Sequence, residues 1–252
     1  GDGPRDFYRS RPEMAELLAV LAASELARAV GADLHIVHVG TAAAAERLAG
    51  SGASCETAPH YLAFDLDDFE RIGAPLKVTP PVKAAGNRER LWALLAEGGI
   101  DFVASDHAPC PAHEKETGSI WTAYSGIPGT GTLLPYMISE GYLAGRLSLS
   151  RLLEVVSQNA ARRYGLDDRK GSIATGKDAD LVLVDPQAQW TVRGAEFYSQ
   201  GKITPFEGMT LRGRVEATLV RGEVVYRAGE GICVPAGHGR WEYWWLYPSR
   251  WF

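Results

Sequence analysis

The first clear pattern along the chain is helical. Leu17, Leu18, Leu21, Leu26 and Val30 recur at the spacing of one helix face, between a start signal at Ser10-Arg11-Pro12-Glu13 and a stop at Gly31. Residues 34–39 form a short apolar run of strand character, and residues 42–49 an alanine-rich helix closed by Gly50. A strand is predicted over 53–58, and a helix over 65–72 with Asp65 as its cap. A short strand over 76–79 ends at Pro80-Pro81, followed by a helix over 87–97 and a strand over 100–105. Strand and helix alternate with short connections, as βα units on a parallel sheet require. Four strands fit before Asp106, whereas an eight-stranded barrel uses about 250 residues for all its strands. The pattern therefore predicts an α/β fold containing half of a (β/α)8 barrel.

Beyond it lies a loop over 107–131 rich in Pro and Gly, then helical patterns over 132–142, 149–157 and 159–164. The texture then changes to β. Residues 171–185 read as a turn and a strand, and residues 215–220 and 223–226 flank Arg221-Gly222 as a hairpin. The predicted organisation is a half-barrel over 1–168 and a small β-rich domain, part of a β-sandwich, over 169–240. An aromatic tail over 241–252 reads as a terminal segment docked on its own domain.

The chemistry gathers at strand ends. The run Ile100-Asp-Phe-Val-Ala-Ser ends at Asp106-His107, and the runs over 34–39 and 53–58 deliver His38 and His60 at or just past their ends. Barrels collect their reactive groups on that rim, and two imidazoles with a carboxylate suit a hydrolytic Zn²⁺ or similar divalent ion. Strand alternation puts His38 on the face of Leu34 and Ile36, and Asp106 on the face of Phe102 and Ala104. His35 points the other way and is expected to be packed or capped. His107 reads as a ligand neighbour or a backbone brace. His113, in a polar run with Glu114 and Lys115, reads as solvated, and His238 as structural or exposed. Gly126-Ile-Pro-Gly129-Thr-Gly131 lacks the preceding strand and closing Lys-Ser or Lys-Thr of a phosphate loop. It is expected to line the mouth of the site.

Composition narrows the classes. The 252 residues are 46% hydrophobic and 23% charged, ordinary for a globular protein. A net charge of -5 argues against nucleic acid and anionic membrane surfaces as partners. Cys55, Cys110 and Cys233 are odd in number and far apart, so they form neither a disulfide framework nor a zinc ribbon, and a cytoplasmic location is expected. The chain has no initiator Met, its first methionine being Met14, and is read as a fragment or processed product. An incomplete barrel leaves an apolar strand edge open, so association into a homo-oligomer is expected.

Several segments carry a family resemblance. These are Leu34-His-Ile-Val-His38-Val, Ala58-Pro-His60-Tyr-Leu, Lys77-Val-Thr79-Pro80-Pro81-Val-Lys83 and Ser105-Asp106-His107-Ala108-Pro-Cys110. Gly126-Ile-Pro-Gly, Asn159-Ala-Ala and the runs from Lys170, Lys202 and Leu219 continue it. Together they resemble the cyclic-amide branch of the amidohydrolase superfamily, which holds allantoinases, dihydroorotases and hydantoinases or dihydropyrimidinases. Cys110, where dihydroorotases carry a second His, and the run over 65–73 lean toward allantoinase. Ala108 stands where allantoinases commonly have Ser, Gly40 where the branch has Ser, and Lys83 where it has Arg.

The resemblance implies a site with two divalent ions, two Zn²⁺ being expected and Mn²⁺, Co²⁺ or Fe²⁺ alternatives. His38, His60 and Asp106 match its ligands on the fifth, sixth and eighth barrel strands. A His-x-His pair and a bridging carboxylated Lys belong to the front half, which this sequence does not contain. The implied reaction is ring opening of a cyclic amide or ureide, allantoin before dihydroorotate or hydantoin. Asp106 would bind metal and shuttle the proton from water to the leaving nitrogen. Thr79, Ala108, Cys110 and Gly126 would hold the small-molecule substrate. The competing reading is a non-catalytic scaffold of the same fold. The 252 residues by themselves are expected to bind metal weakly and turn nothing over.

Overall fold

The computed structural model describes residues 1–241. The aromatic tail predicted from residue 241 onward thus lies, but for Trp241, outside the described residues. The chain opens with helix α1 (Pro4–Ser10), which the sequence pattern did not predict; Pro4 sits in its first turn. Helix α2 (Glu13–Val30) ends at Gly31, whose left-handed backbone (φ 69°) caps it. Then come β1 (His35–Ile36), α3 (Ala42–Leu48), β2 (Ser54–Thr57), α4 (Pro59–Ala63), α5 (Leu66–Ile72), α6 (Asn87–Glu97) and β3 (Phe102–Val103). Asp65 caps α5 as predicted, accepting from the backbone of Asp67 and Asp68 while Asp68 reaches back to the Asp65 N–H.

The strands form a parallel sheet in the order β1-β2-β3, with His35 opposite Ser54 and Glu56 opposite Phe102. Helices cover one face, where Val39, Cys55, Val103, Leu91 and Leu95 join the core. The fourth predicted strand, residues 76–79, does not form. A 3₁₀ turn (Ala74–Leu76) leads into it, and the carbonyl of Lys77 is taken by the Gly126 N–H (2.9 Å) and Lys115 Nζ (3.1 Å). The prolines that follow have no N–H for a ladder, so β2 pairs directly with β3.

The strands are also shorter than predicted, because two of them end on left-handed backbone, at His38 (φ 43°) and Asp106 (φ 46°). Helix α2 is apolar on both sides. Val20 packs into the core, while Met14, Leu18, Leu26 and Val30 are exposed, as is Val37 beyond β1.

Downstream, α7 (Ala112–Lys115) interrupts the long loop. Then α8 (Leu133–Tyr136), α9 (Leu149–Leu153) and α10 (Asn159–Arg163) alternate with wider π-type turns over Met137–Leu143 and Glu154–Gln158. An antiparallel sheet follows in the order β4 (Leu181–Thr191), β5 (Thr210–Val220), β6 (Glu223–Arg227), β7 (Gly231–Ile232). The β5–β6 hairpin turns at Arg221 and Gly222, both with positive φ (51° and 83°), as its twist demands. No helix among the described residues is long and apolar enough to cross a membrane.

Candidate metal and substrate site

His60 sits at the start of α4, just past β2, and is fully buried. Neither of its ring nitrogens has a hydrogen-bond partner. Burial, with the neighbouring His38 acting the same way, pushes its pKa down to about 3, so the imidazole is neutral at ordinary pH. Asp106 Oδ2 lies 3.8 Å from Nε2, too far for a hydrogen bond. Burial raises the Asp106 pKa, the adjacent His38 opposes that, and Glu56 adds to it.

His38 lies within electrostatic reach of both other residues. Ile36 packs toward the helices, whereas His35 stacks on Phe102 on the opposite face (ring centroids 5.1 Å) and meets Ser54 (2.8 Å) and Glu56 (3.1 Å). Continued pleating would leave His38 on Ile36's side, away from Asp106. The backbone turns left-handed at His38 (φ 43°), which ends the pleat there, and His38 lines a cavity together with Ile36 and Val39. His35 itself is packed, as expected.

A buried neutral imidazole with an unengaged lone pair, next to a carboxylate, fits a divalent cation: nitrogen to coordinate and oxygen to supply charge. Among the described residues no three His, Cys, Asp or Glu side chains group closely enough to hold a metal ion, the predicted set of His38, His60 and Asp106 included: the structure brings His60 and Asp106 together at 3.8 Å and leaves His38 outside such a group. Ligands from outside these residues would have to complete it.

The predicted substrate residues fall into separate groups. Thr79 and His38 line one cavity of about 280 Å³, walled by Glu16, Val20, Pro80 and Lys83. Thr79 Oγ1 donates to Ser125 Oγ at 3.2 Å. Ala108 and Gly126 are packed together: a Cβ on Gly126 (φ 145°) would lie 2.5 Å from the Ala108 carbonyl oxygen. Gly129 presses still harder, its absent Cβ falling 1.9 Å from the Ser105 carbonyl oxygen, so the loop bears on the residue preceding Asp106. Cys110 does not join the cavity of His38 and Thr79. It is buried, its pKa raised by that burial and opposed by Lys115. His107 accepts from the N–H of Thr130 (3.3 Å) and meets its hydroxyl (3.2 Å), bracing the 126–131 loop. His113 is exposed, but Lys115 beside it is 2% exposed, which the polar run did not suggest.

Sequence reasoning also missed Glu13 and Glu16. Glu16 accepts from the backbone of Gly40 (2.7 Å) and Thr41 (3.0 Å), and Glu13 from the Thr41 hydroxyl. A signal existed: Glu16 precedes buried Val20 by one helical turn, an unusual place for a lone carboxylate.

Residues 9–225 match the amidohydrolase family. The chain belongs to that family. It is 42% identical over 238 residues to an allantoinase of Rubrobacter xylanophilus, covering 92% of this chain and 52% of that one. It is 35% identical over 235 residues to an allantoinase of Salmonella newport, covering 91% and 51%. Among solved structures, an L-hydantoinase (dihydropyrimidinase) of Arthrobacter aurescens superposes with a TM-score of 0.88 at 37% identity, covering 92% of this chain and 53% of that one. A dihydropyrimidinase of Brevibacillus agri gives 0.89 at 33% identity, covering 95% and 54%. This amidohydrolase chain therefore spans about half the length of the relatives it matches. Its fold is a partial barrel followed by a sheet.

Proposed function

We propose that this amidohydrolase chain forms the back half of a divalent-metal hydrolase that opens a cyclic amide or ureide ring, allantoin in the first instance. The observation that carries the reading is the meeting of neutral, unpartnered His60 with Asp106 at the strand ends, within the field of His38. His38, His60 and Asp106 would hold metal, Zn²⁺ being the expected ion. When bound, the metal supplies an acidified water and polarises the amide carbonyl.

The residues of this chain do the rest. Asp106 is half-buried with its pKa raised, which suits it to take a proton from water and return it to the ring nitrogen as the amide bond breaks. The exposed Thr79 and the joined loops of Ala108 and Gly126 would orient the ring, and Cys110 would support them from its buried position. The 42% identity to an allantoinase supports allantoin. The likeness to hydantoinase structures supports a second reading, hydantoin or dihydropyrimidine opening.

A chimera joining the front half of the R. xylanophilus allantoinase to these residues tests the assignment. It is expected to convert allantoin to allantoate and to leave hydantoin and dihydroorotate largely untouched, while the 252-residue polypeptide alone turns over none. A folded, metal-loaded chimera that prefers hydantoin or dihydroorotate would overturn allantoin. One active on no cyclic amide would favour a scaffold, and robust hydrolysis by the polypeptide alone would refute its being half a site.

A further inference from the structure

The backbone after His38 is held at every polar group. The Val39 N–H donates to the Glu56 carbonyl (2.7 Å), and the Val39 carbonyl accepts from Thr57 Oγ1 (2.8 Å). Asn87 Nδ2 donates to the Gly40 carbonyl (2.9 Å). The N–H groups of Gly40 and Thr41 both donate to one oxygen of Glu16, 24 and 25 residues earlier in the chain. The other Glu16 oxygen forms an ion pair with Lys83 Nζ at 2.6 Å without hydrogen-bond geometry, and that ammonium donates to the Pro81 carbonyl (3.0 Å). Lys83 and Glu16 side chains are 1% and 9% exposed, so water does not supply these contacts. One buried carboxylate thus ties the strand end that presents His38 to the proline loop that carries Thr79.

A non-glycine residue in left-handed backbone is strained and persists only where its surroundings over-determine it. The bonds to Gly40 and Thr41 supply that constraint within three residues of His38. We propose that Glu16 is a positioning residue for the metal site, holding His38 in its turned conformation through Gly40 and Thr41, with Lys83 as the counter-charge that allows the carboxylate to be buried. The inference rests on His38 being a metal ligand.

The test uses the chimera described above, whose front half completes the site, and a Co²⁺ titration followed by its d–d absorption, with thermal unfolding recorded in parallel. Single substitutions would strand a buried charge and unfold the chain, so the informative variants are charge-neutral doubles. E16Q/K83M keeps a carbonyl oxygen for the Gly40 and Thr41 N–H groups, whereas E16A/K83M removes it. Both should fold with similar midpoints. The glutamine double is expected to bind Co²⁺ within about threefold of the wild type, and the alanine double about tenfold or more weakly, the usual cost of losing a group that orients a ligand.

Equal Co²⁺ affinity in the two doubles would overturn the positioning role while leaving the metal site intact. A chimera whose Co²⁺ spectrum is unchanged by His38→Ala would instead overturn the metal reading itself, and this inference with it.

Discussion

Acid should unfold this chain through His60. The folded protein holds that imidazole neutral down to a pKa of about 3, against an ordinary 6.5, because it is buried without a partner. The unfolded chain takes up a proton below pH 6.5 that the folded chain refuses, so stability falls as pH falls from 6.5 toward 3 and is unaffected above 6.5. The full gap corresponds to roughly 5 kcal/mol, and the part lost between about pH 7.5 and pH 5 is about 2 kcal/mol. For a domain of this size that is a fall in Tm of roughly 4–8 °C. The perturbation is His60→Leu, which keeps apolar bulk and removes the titration. Urea unfolding of both proteins in chelator, across that pH range, isolates the residue because other histidines cancel in the difference. The wild-type stability should fall toward acid by about 2 kcal/mol relative to that of His60→Leu. Parallel curves would show that His60 is hydrated or hydrogen-bonded, and the argument for a free, neutral ligand would fail.

Further outcomes follow from other sites. Burial lowers the Lys115 pKa to about 8 from 10.5, so the cost of its buried charge, present below pH 8, should be relieved as pH rises toward 10.5. Chemical denaturation should show the wild type gaining about 3 kcal/mol relative to Lys115→Met over that range, and parallel profiles would contradict the buried charge. Gly129→Ala forces a Cβ against the Ser105 carbonyl; it should cost on the order of 2–3 kcal/mol by thermal unfolding, and a wild-type Tm would contradict the packing. The exposed Met14, Leu18, Leu26 and Val30 should drive self-association of the isolated chain; L18E/L26E should shift its sedimentation toward monomer, and an unchanged profile would exclude this face.

Much of the fold was legible because the signals were local. Asp65 caps its helix through residues two and three positions away, and Arg221-Gly222 turn a hairpin by their own backbone preference. Helix α6 starts and stops where its pattern does. The three strand-end residues were legible as candidates for the same reason: each interrupts an apolar run. What was not legible depends on partners distant in sequence. Residues 76–79 look like a strand, but their bonding is decided by Gly126 and Lys115, some forty positions on. The backbone turns left-handed at His38, and the N–H groups of Gly40 and Thr41 just beyond it bond to Glu16 from another element. Lys115 looks solvated beside His113 and Glu114, yet the carbonyls of Lys77 and Tyr124 draw it inside.

The central claim is that His38, His60 and Asp106 belong to one divalent-metal centre. Crystals of the chimera grown with Zn²⁺ and measured at the zinc absorption edge test it most directly. The account predicts anomalous density within about 2.0–2.2 Å of a ring nitrogen of His38 and of His60, and of a carboxylate oxygen of Asp106 or of a second ion beside it. Zinc bound elsewhere, with the His60 ring hydrogen-bonded to protein instead, would contradict it.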